Sequence, residues 1–180
     1  MGRDAASDAA FTDFAASSRA RLRSTAYLLC GDWERASDHV QEGLLRVYVA
    51  WPRLVRQGRE LAYARKAVVS AFLDASRKRS STERPTYQPH DRASGEDVAS
   101  AVADRAALMS ALANLPGRQR ACVVLRYFEE LDVRETAAAL GCSEGTVKSQ
   151  TSRALASLRA MFDEASRDEL VVVGERNLPW

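Results

Sequence analysis

Residues 132–158 read DVRETAAALGCSEGTVKSQTSRALASL. Asp132, with Glu135 three positions on, forms a capping box that starts a helix. Ala137 is small where a second helix has to come close. Gly141 supplies the left-handed conformation that ends the first helix. Ser143 then caps a second helix whose apolar face is Val147, Leu155 and Leu158. A small residue, a glycine four positions on and an apolar residue six further is the spacing of a helix-turn-helix. The second helix turns Glu144, Thr146, Lys148, Ser149, Gln150, Ser152 and Arg153 outward. Short hydrogen-bonding groups interleaved with cations suit the phosphates and base edges of a DNA major groove. An ordinary helical hairpin with a polar outer face has the same spacing, so the run alone leaves both readings open.

Upstream, apolar residues also recur at helical rather than strand spacing. Phe11, Phe14, Leu22, Ala26 and Leu29 predict a first helix, ended by Gly31-Asp32. Val40, Leu44, Tyr48, Trp51 and Val55 predict a second, with Pro52 expected to bend or end it near Trp51. A third is predicted over 61–79, with Leu61, Ala64, Val68, Phe72 and Ala75 on one side and a length of about 28 Å. Residues 80–103 hold Pro85, Pro89, Gly95 and many small polar residues without an apolar period, so they read as linker, with the next helix beginning in the last of them. Leu108, Leu112 and Leu115 follow, then a break at Pro116-Gly117, then Cys122, Leu125, Tyr127 and Phe128 in another helical segment. The run 170–173 is the only strand candidate. The expectation is an all-α chain of two small helical domains joined by a flexible linker, the C-terminal one containing the helix-turn-helix. The boundaries are 11–79, 80–103, 104–162 and an acidic tail over 163–180.

The 180 residues are 46% hydrophobic and 28% charged, which excludes wholesale disorder and a fibrous chain. Lys+Arg 26 against Asp+Glu 24 leaves a net charge of only +2, which argues against a histone-like coat of nucleic acid. Cut at the composition shifts, the balance changes: residues 1–79 carry 14 basic and 9 acidic groups, net +5. The linker is net −2, residues 104–162 are net +2 and the tail is net −3. Two basic units are thus separated by an acidic spacer and followed by an acidic tail. Three cysteines without a CxxC pair argue against a disulfide framework and for a reducing compartment. No apolar run approaches the ~20 residues of a membrane span, and the N-terminus has no apolar signal core. A cytoplasmic location, with no insertion into a membrane, is expected.

Three stretches together resemble bacterial sigma factors of the extracytoplasmic-function (ECF) group. LANLPGRQRACVVLRYFEELDVRETAAALGCSEGTVKSQTSRALASLR is similar to the C-terminal promoter-binding domain of that family. SDHVQEGLLRVYVAW and AYARKAVVSAFLDASRKR are similar to its N-terminal domain. The resemblance covers about residues 11–162. It implies a sigma subunit that binds core RNA polymerase and directs initiation at a bipartite promoter, with an anti-sigma protein as a further partner common in the family. It implies that Asp38, Gln41, Glu42, Leu45 and Arg46 press against the β′ clamp of the polymerase, although the same residues also make an ordinary solvated helix face. It implies that the third helix recognises the −10 element through Tyr63, Arg65, Lys66, Ser70, Asp74, Arg77, Lys78 and Arg79. Ser70 stands where many members have Asn. Phe72, on the apolar stripe, reads as core before it reads as a base pocket. The helix from Ser143 would read the −35 element with Thr146, Lys148, Ser149, Gln150 and Arg153. Arg118, Arg120 and Arg126 are secondary phosphate candidates, Arg126 being equally able to pair with Glu129 or Glu130. The same domain would bind the flap of the β subunit.

No phosphate-cradling glycine loop, HExxH or GxSxG occurs, and His39 and His90 lie in no ligand-spaced cluster. No catalytic residue, cofactor or metal is therefore expected, and the cysteines read as small core residues. The rival functions are a self-sufficient helix-turn-helix regulator, not dependent on core polymerase, and an adaptor that binds protein without reading DNA. The second basic unit is what a stand-alone regulator does not need.

Overall fold

The computed structural model describes residues 5–80 and 96–175, with side chains over 5–78 and 104–163. Among them every regular element is helical: α1 (Ala5–Cys30), α2 (Trp33–Val55), α3 (Glu60–Ser80), α4 (Glu96–Asn114), α5 (Gly117–Val123), a π-helical turn (Val124–Phe128), α6 (Val133–Leu140) and α7 (Glu144–Glu175). The expected linker shares its first residue with α3 and its last eight with α4, and residues 81–95 lie outside the described residues. The strand candidate 170–173 is part of α7, and so is most of the stretch read as a tail.

Asp32 caps α2, its carboxylate accepting from the Arg35 amide at 2.8 Å. The buried spine of that helix is Val40, Leu44, Val47, Trp51 and Leu54. Tyr48 and Val55, expected inward, are instead exposed, with Val47 and Leu54 in their places. The reason is angular. Measured from Val40 at 100° per residue, the buried five fall within about 40° of one line, while Tyr48 and Val55 sit at roughly 80° and 60°. Tyr48 caps the edge of the core, its ring edge-on to Phe11 at 4.9 Å.

Pro52 does not end α2, which continues to Val55. A proline inside a helix costs about 3 kcal/mol. Burial of two large apolar side chains returns roughly 1.5–3 kcal/mol each. Trp51 and Leu54, on either side of the proline, are both buried, so packing wins.

Gly43 is a second surprise on the same helix. Propensity alone makes it a defect of about 1 kcal/mol relative to Ala. It lies, however, where α2 crosses α3, and a Cβ there would fall 2.7 Å from Val68 Cγ2 and 3.3 Å from the Val68 amide nitrogen. Glycine is what lets the two helices approach.

The two helical units share their apolar packing. One cluster joins Leu22 and Ala26 of α1, the α2 spine and Val68 of α3 to Met109, Leu112 and Leu115 of α4 and its end, and to Ala154 and Leu158 of α7. A second joins Leu29, Val69 and Phe72 of the first unit to Ala121, Val124, Leu125 and Leu131 of the second. Phe72 is 2% exposed, which places it in the core as its position on the stripe predicts.

Gly43→Ala should therefore lower unfolding stability by about 1–3 kcal/mol, the cost of overpacking, instead of raising it as propensity predicts. Denaturant titration measures the sign, and a stabilised variant would overturn this account of the crossing.

Candidate nucleic-acid and partner interface

The helix-turn-helix is built by local bonds that the sequence specifies. The Glu135 amide donates to Asp132 Oδ1 at 2.7 Å, and the Asp132 amide donates to Glu135 Oε2 at 2.9 Å, completing the capping box. Gly141 holds φ 62°, and the Cys142 amide reaches back to the Ala137 carbonyl at 3.1 Å. Ser143 Oγ accepts from the Thr146 amide at 3.1 Å and starts α7. Val147 and Ala154 are fully buried, which fixes the roll of the helix. At 100° per residue Ser149, Ser152 and Arg153 then point away from the core, with Lys148 flanking on one side and Thr146 and Gln150 on the other. Lys148, Ser149 and Arg153 are exposed, and Thr146 and Gln150 are half-buried. The five residues lie on one continuous outer surface with two cations at its disposal.

On α2 the burial of the spine leaves Asp38, Gln41, Glu42 and Leu45 exposed along the opposite side, with Arg46 half-buried and ion-paired to Glu42. Leu45 is 60% exposed and Val49, one turn on, 79%. Val49 escaped the sequence reading, although an apolar residue four positions after Leu45 and off the core stripe is a readable signal. The two make a small apolar ridge between charged neighbours.

The residues expected on α3 divide. Lys66, Arg77 and Lys78 are exposed, Ser70 and Asp74 half-buried, and Arg77 is ion-paired to Asp74. Tyr63 is half-buried against the core. The side chain of Arg79 lies outside the described residues. Arg65 is turned away from solvent, its side chain 14% exposed, and donates from Nε to Glu129 Oε2 at 2.8 Å.

Two of the secondary phosphate candidates have structural work instead. Arg120 donates to the Leu29 carbonyl at 2.6 Å, to Ala113 at 2.6 Å and to Leu115 at 3.1 Å. Burial pulls its guanidinium down to about 10, so it remains a cation at neutral pH. Arg126 donates to the Leu131 carbonyl rather than pairing with either neighbouring glutamate. Arg118 stays exposed. Glu129 was the larger omission: a carboxylate in an acidic dipeptide reads as surface, yet here it is buried.

Among the described residues no group of three or more His, Cys, Asp or Glu is placed to hold a metal ion. Cys122 is buried, and burial pushes its thiol up to about 11; Cys30 is raised by the same cause. His39 is buried with its ring edge-on to Phe72 and Nε2 without a partner. Burial lowers its pKa, with Arg35 adding to the shift and Glu42 and Asp38 opposing it.

Residues 14–82 match the family model described as Sigma-70 region 2, and residues 105–158 match the one described as Sigma-70, region 4. The chain is 38% identical over 158 residues to an RNA polymerase sigma-E factor of Streptomyces avermitilis, covering 88% of each. It is 32% identical over 143 residues to the ECF RNA polymerase sigma factor SigL of Mycobacterium tuberculosis, covering 76% of this chain and 79% of that one. Its fold is similar to that of the sigma factor RpoE from Bartonella quintana, solved with the anti-sigma factor NepR. The TM-score is 0.69 at 22% identity, over 85% of this chain and 96% of that one.

The depressed His39 pKa has a thermodynamic consequence. The unfolded chain takes up this proton below about pH 6.5, before the folded chain does. The contribution to stability is complete above that pH and falls as pH drops through 6.5 toward the folded value. His39→Leu should flatten the stability curve between pH 7 and pH 5.5. Equal slopes for the variant and the parent, by denaturant titration at each pH, would remove His39 as the source.

Proposed function

Because the chain belongs to the sigma-70 family, in its extracytoplasmic-function group, we propose that its two helical units divide the work of finding a promoter. The chain is a promoter-specificity subunit of RNA polymerase, and its partners are the core enzyme and promoter DNA. The observation that carries this reading is the presence of region 2 and region 4, in that order, on one chain. A stand-alone helix-turn-helix regulator has no need of the first.

In this proposal residues 11–79 bind core polymerase and the −10 element, and residues 104–162 read the −35 element. Bond making stays with the polymerase, in the cytoplasm where that enzyme works. Among the described residues no helix is long and apolar enough to cross a membrane. Asp38, Gln41, Glu42, Leu45 and Arg46, with Val49 added, form the surface for the β′ clamp. Apolar ridges rimmed by charge are the anatomy of a protein interface. The second unit also serves the β flap.

On the DNA side, Lys148 and Arg153 neutralise phosphates while Thr146, Ser149 and Gln150 offer hydrogen bonds to base edges. Lys66, Arg77, Lys78 and Arg79 track the backbone of the −10 strand, with Ser70 and Asp74 beside them. Tyr63 supports an unstacked base. Each captured base is worth about 1–3 kcal/mol, similar to the cost of extruding it, so a few contacts help hold DNA open without nucleotide hydrolysis. An anti-sigma protein is a further partner in this reading, supported by the complex in which the Bartonella relative was solved.

The test adds the purified chain to sigma-free core polymerase and a panel of bipartite promoters. A specific transcript is expected. Tight DNA binding by the chain alone, with no transcript from any template, would sink the proposal. Two further outcomes are expected. Lys148→Ala with Arg153→Ala should cut −35-dependent transcription at least tenfold and make the salt slope of holoenzyme binding shallower by about 0.9 per lost phosphate contact. Leu45→Asp with Val49→Asp should weaken polymerase binding about tenfold or more, read by competition against the parent chain, with helical content unchanged.

A further inference from the structure

Arginine stands at every second position through the middle of α1, at 19, 21 and 23. Helical geometry sends Arg21 to one side and leaves Arg19 and Arg23 together on another, one turn apart. Arg21 finds a carboxylate, Glu129, at 3.0 Å. Among the described residues Arg19 and Arg23 take part in no ion pair. Like charges one turn apart on a helix repel, so this pair works against the helix that carries it.

The two line one cavity of about 360 Å³, completed by Ser37, Val40 and Gln41 of α2. That volume is within the range of small-molecule sites, roughly 300–1,000 Å³. No carboxylate is among the lining residues. Val40 is buried and supplies an apolar contact, and Gln41 is exposed and supplies an amide.

Arg23 is held in place from behind. Its Nε donates to Ser37 Oγ at 3.0 Å, and Ser37 Oγ donates in turn to the Trp33 carbonyl at 2.8 Å. The guanidinium carbon lies 4.7 Å from the centre of the Trp33 ring, which is itself stacked on Tyr27 at 4.0 Å. A guanidinium fixed through Nε and one face keeps the edge formed by its two Nη groups. That edge grips an oxyanion through two parallel hydrogen bonds. With Arg19 the cavity offers two positive charges. A phosphate monoester carries about −1.5 to −2 at neutral pH and matches them, whereas a carboxylate or a nucleic-acid diester brings only one negative charge.

We propose that this cavity binds the phosphate monoester group of a small metabolite. Arg19 and Arg23 hold the anion, and Ser37 and Trp33 are positioning residues for Arg23. Gln41 also belongs to the surface given above to the β′ clamp, so an occupied cavity withdraws one side chain from the polymerase. That coupling rests on the proposed function; the site itself does not.

The full-length chain tests the site directly. At constant ionic strength, titration calorimetry with glucose 6-phosphate and with AMP should show saturable one-site binding, with a Kd of about 1 mM or tighter. Adenosine and acetate should not bind. Inorganic phosphate, titrated in the same way, identifies the source: affinity equal to that of the esters assigns the free ion as ligand, and weaker affinity assigns the ester. Arg19→Gln with Arg23→Gln, both on the exposed side of α1, should weaken binding at least tenfold with helical content unchanged. Ser37→Ala should weaken it about threefold and Ser37→Thr, which keeps the hydroxyl, should restore it. Trp33 emission should change on saturation in the parent and stay constant in the double arginine variant. Heats no larger than those of sodium chloride, or equal affinity in the double arginine variant, would overturn the site.

A second arm reads the coupling. A saturating ester should weaken binding of the parent chain to core polymerase about threefold or more, with no effect on the double arginine variant, and polymerase should lower the affinity for the ester by the same factor. Unchanged polymerase binding by the saturated parent would overturn the coupling. Absence of polymerase binding by the parent without ligand would count against the proposed function, while the calorimetry would still decide the site.

Discussion

A carboxylate cannot be taken out of water alone. Glu129 is nearly inaccessible, and the price is met by a guanidinium from each of two helices and one hydroxyl, contributed by residues 108, 64 and 104 positions away in the chain. The relative placement of α1, α3 and the π-helical turn follows from that requirement. With Glu129 seated, Leu125 and Leu131 fall against Phe72 and Val69, and Arg120 comes within reach of the carbonyls that end α1 and α4. A single charged group thereby sets the register of an otherwise greasy and permissive seam.

Local chemistry was legible in the sequence. The capping box at Asp132, the left-handed Gly141 and the Ser143 cap involve partners within a few residues of one another, and all three are present as read. The long helices were legible for the same reason, since apolar period is a short-range property. The errors are of a different kind. The α2 stripe was read one position off at Tyr48 and Val55, because steps of three and four drift around a 3.6-residue turn and several choices fit equally well. Pro52 was given its intrinsic cost without the burial of Trp51 and Leu54 that outweighs it. Gly43 is a weak point of its own helix by propensity, and its meaning lies in another helix, at Val68.

What lay beyond reach was pairing across the two units. No pattern in an acidic dipeptide says that Glu129 is buried and Glu130 exposed, and no local cue distinguishes Arg120, which ties helix ends together, from Arg118, which faces water. Counting basic residues likewise overstated the surface of each unit. Of the cations that made the first unit net positive, Arg65 is largely withdrawn into the seam and Arg21 leans on it. The candidate contact surfaces are consequently smaller and more sharply placed: the outer side of α7, the exposed end of α3, and the ridge of Leu45 and Val49.

The shared core also bears on how the protein can be cut. Leu29, Val69 and Phe72 complete their packing on side chains of the other unit. A fragment ending near Ser80 would present these three to water as one patch, next to a helix end whose carbonyl has lost the Arg120 guanidinium. Apolar patches of that sort invite self-association. Expressed separately, the first half would be the less soluble of the two pieces, and an N-terminal fragment would be a poor stand-in for the same residues in the whole chain.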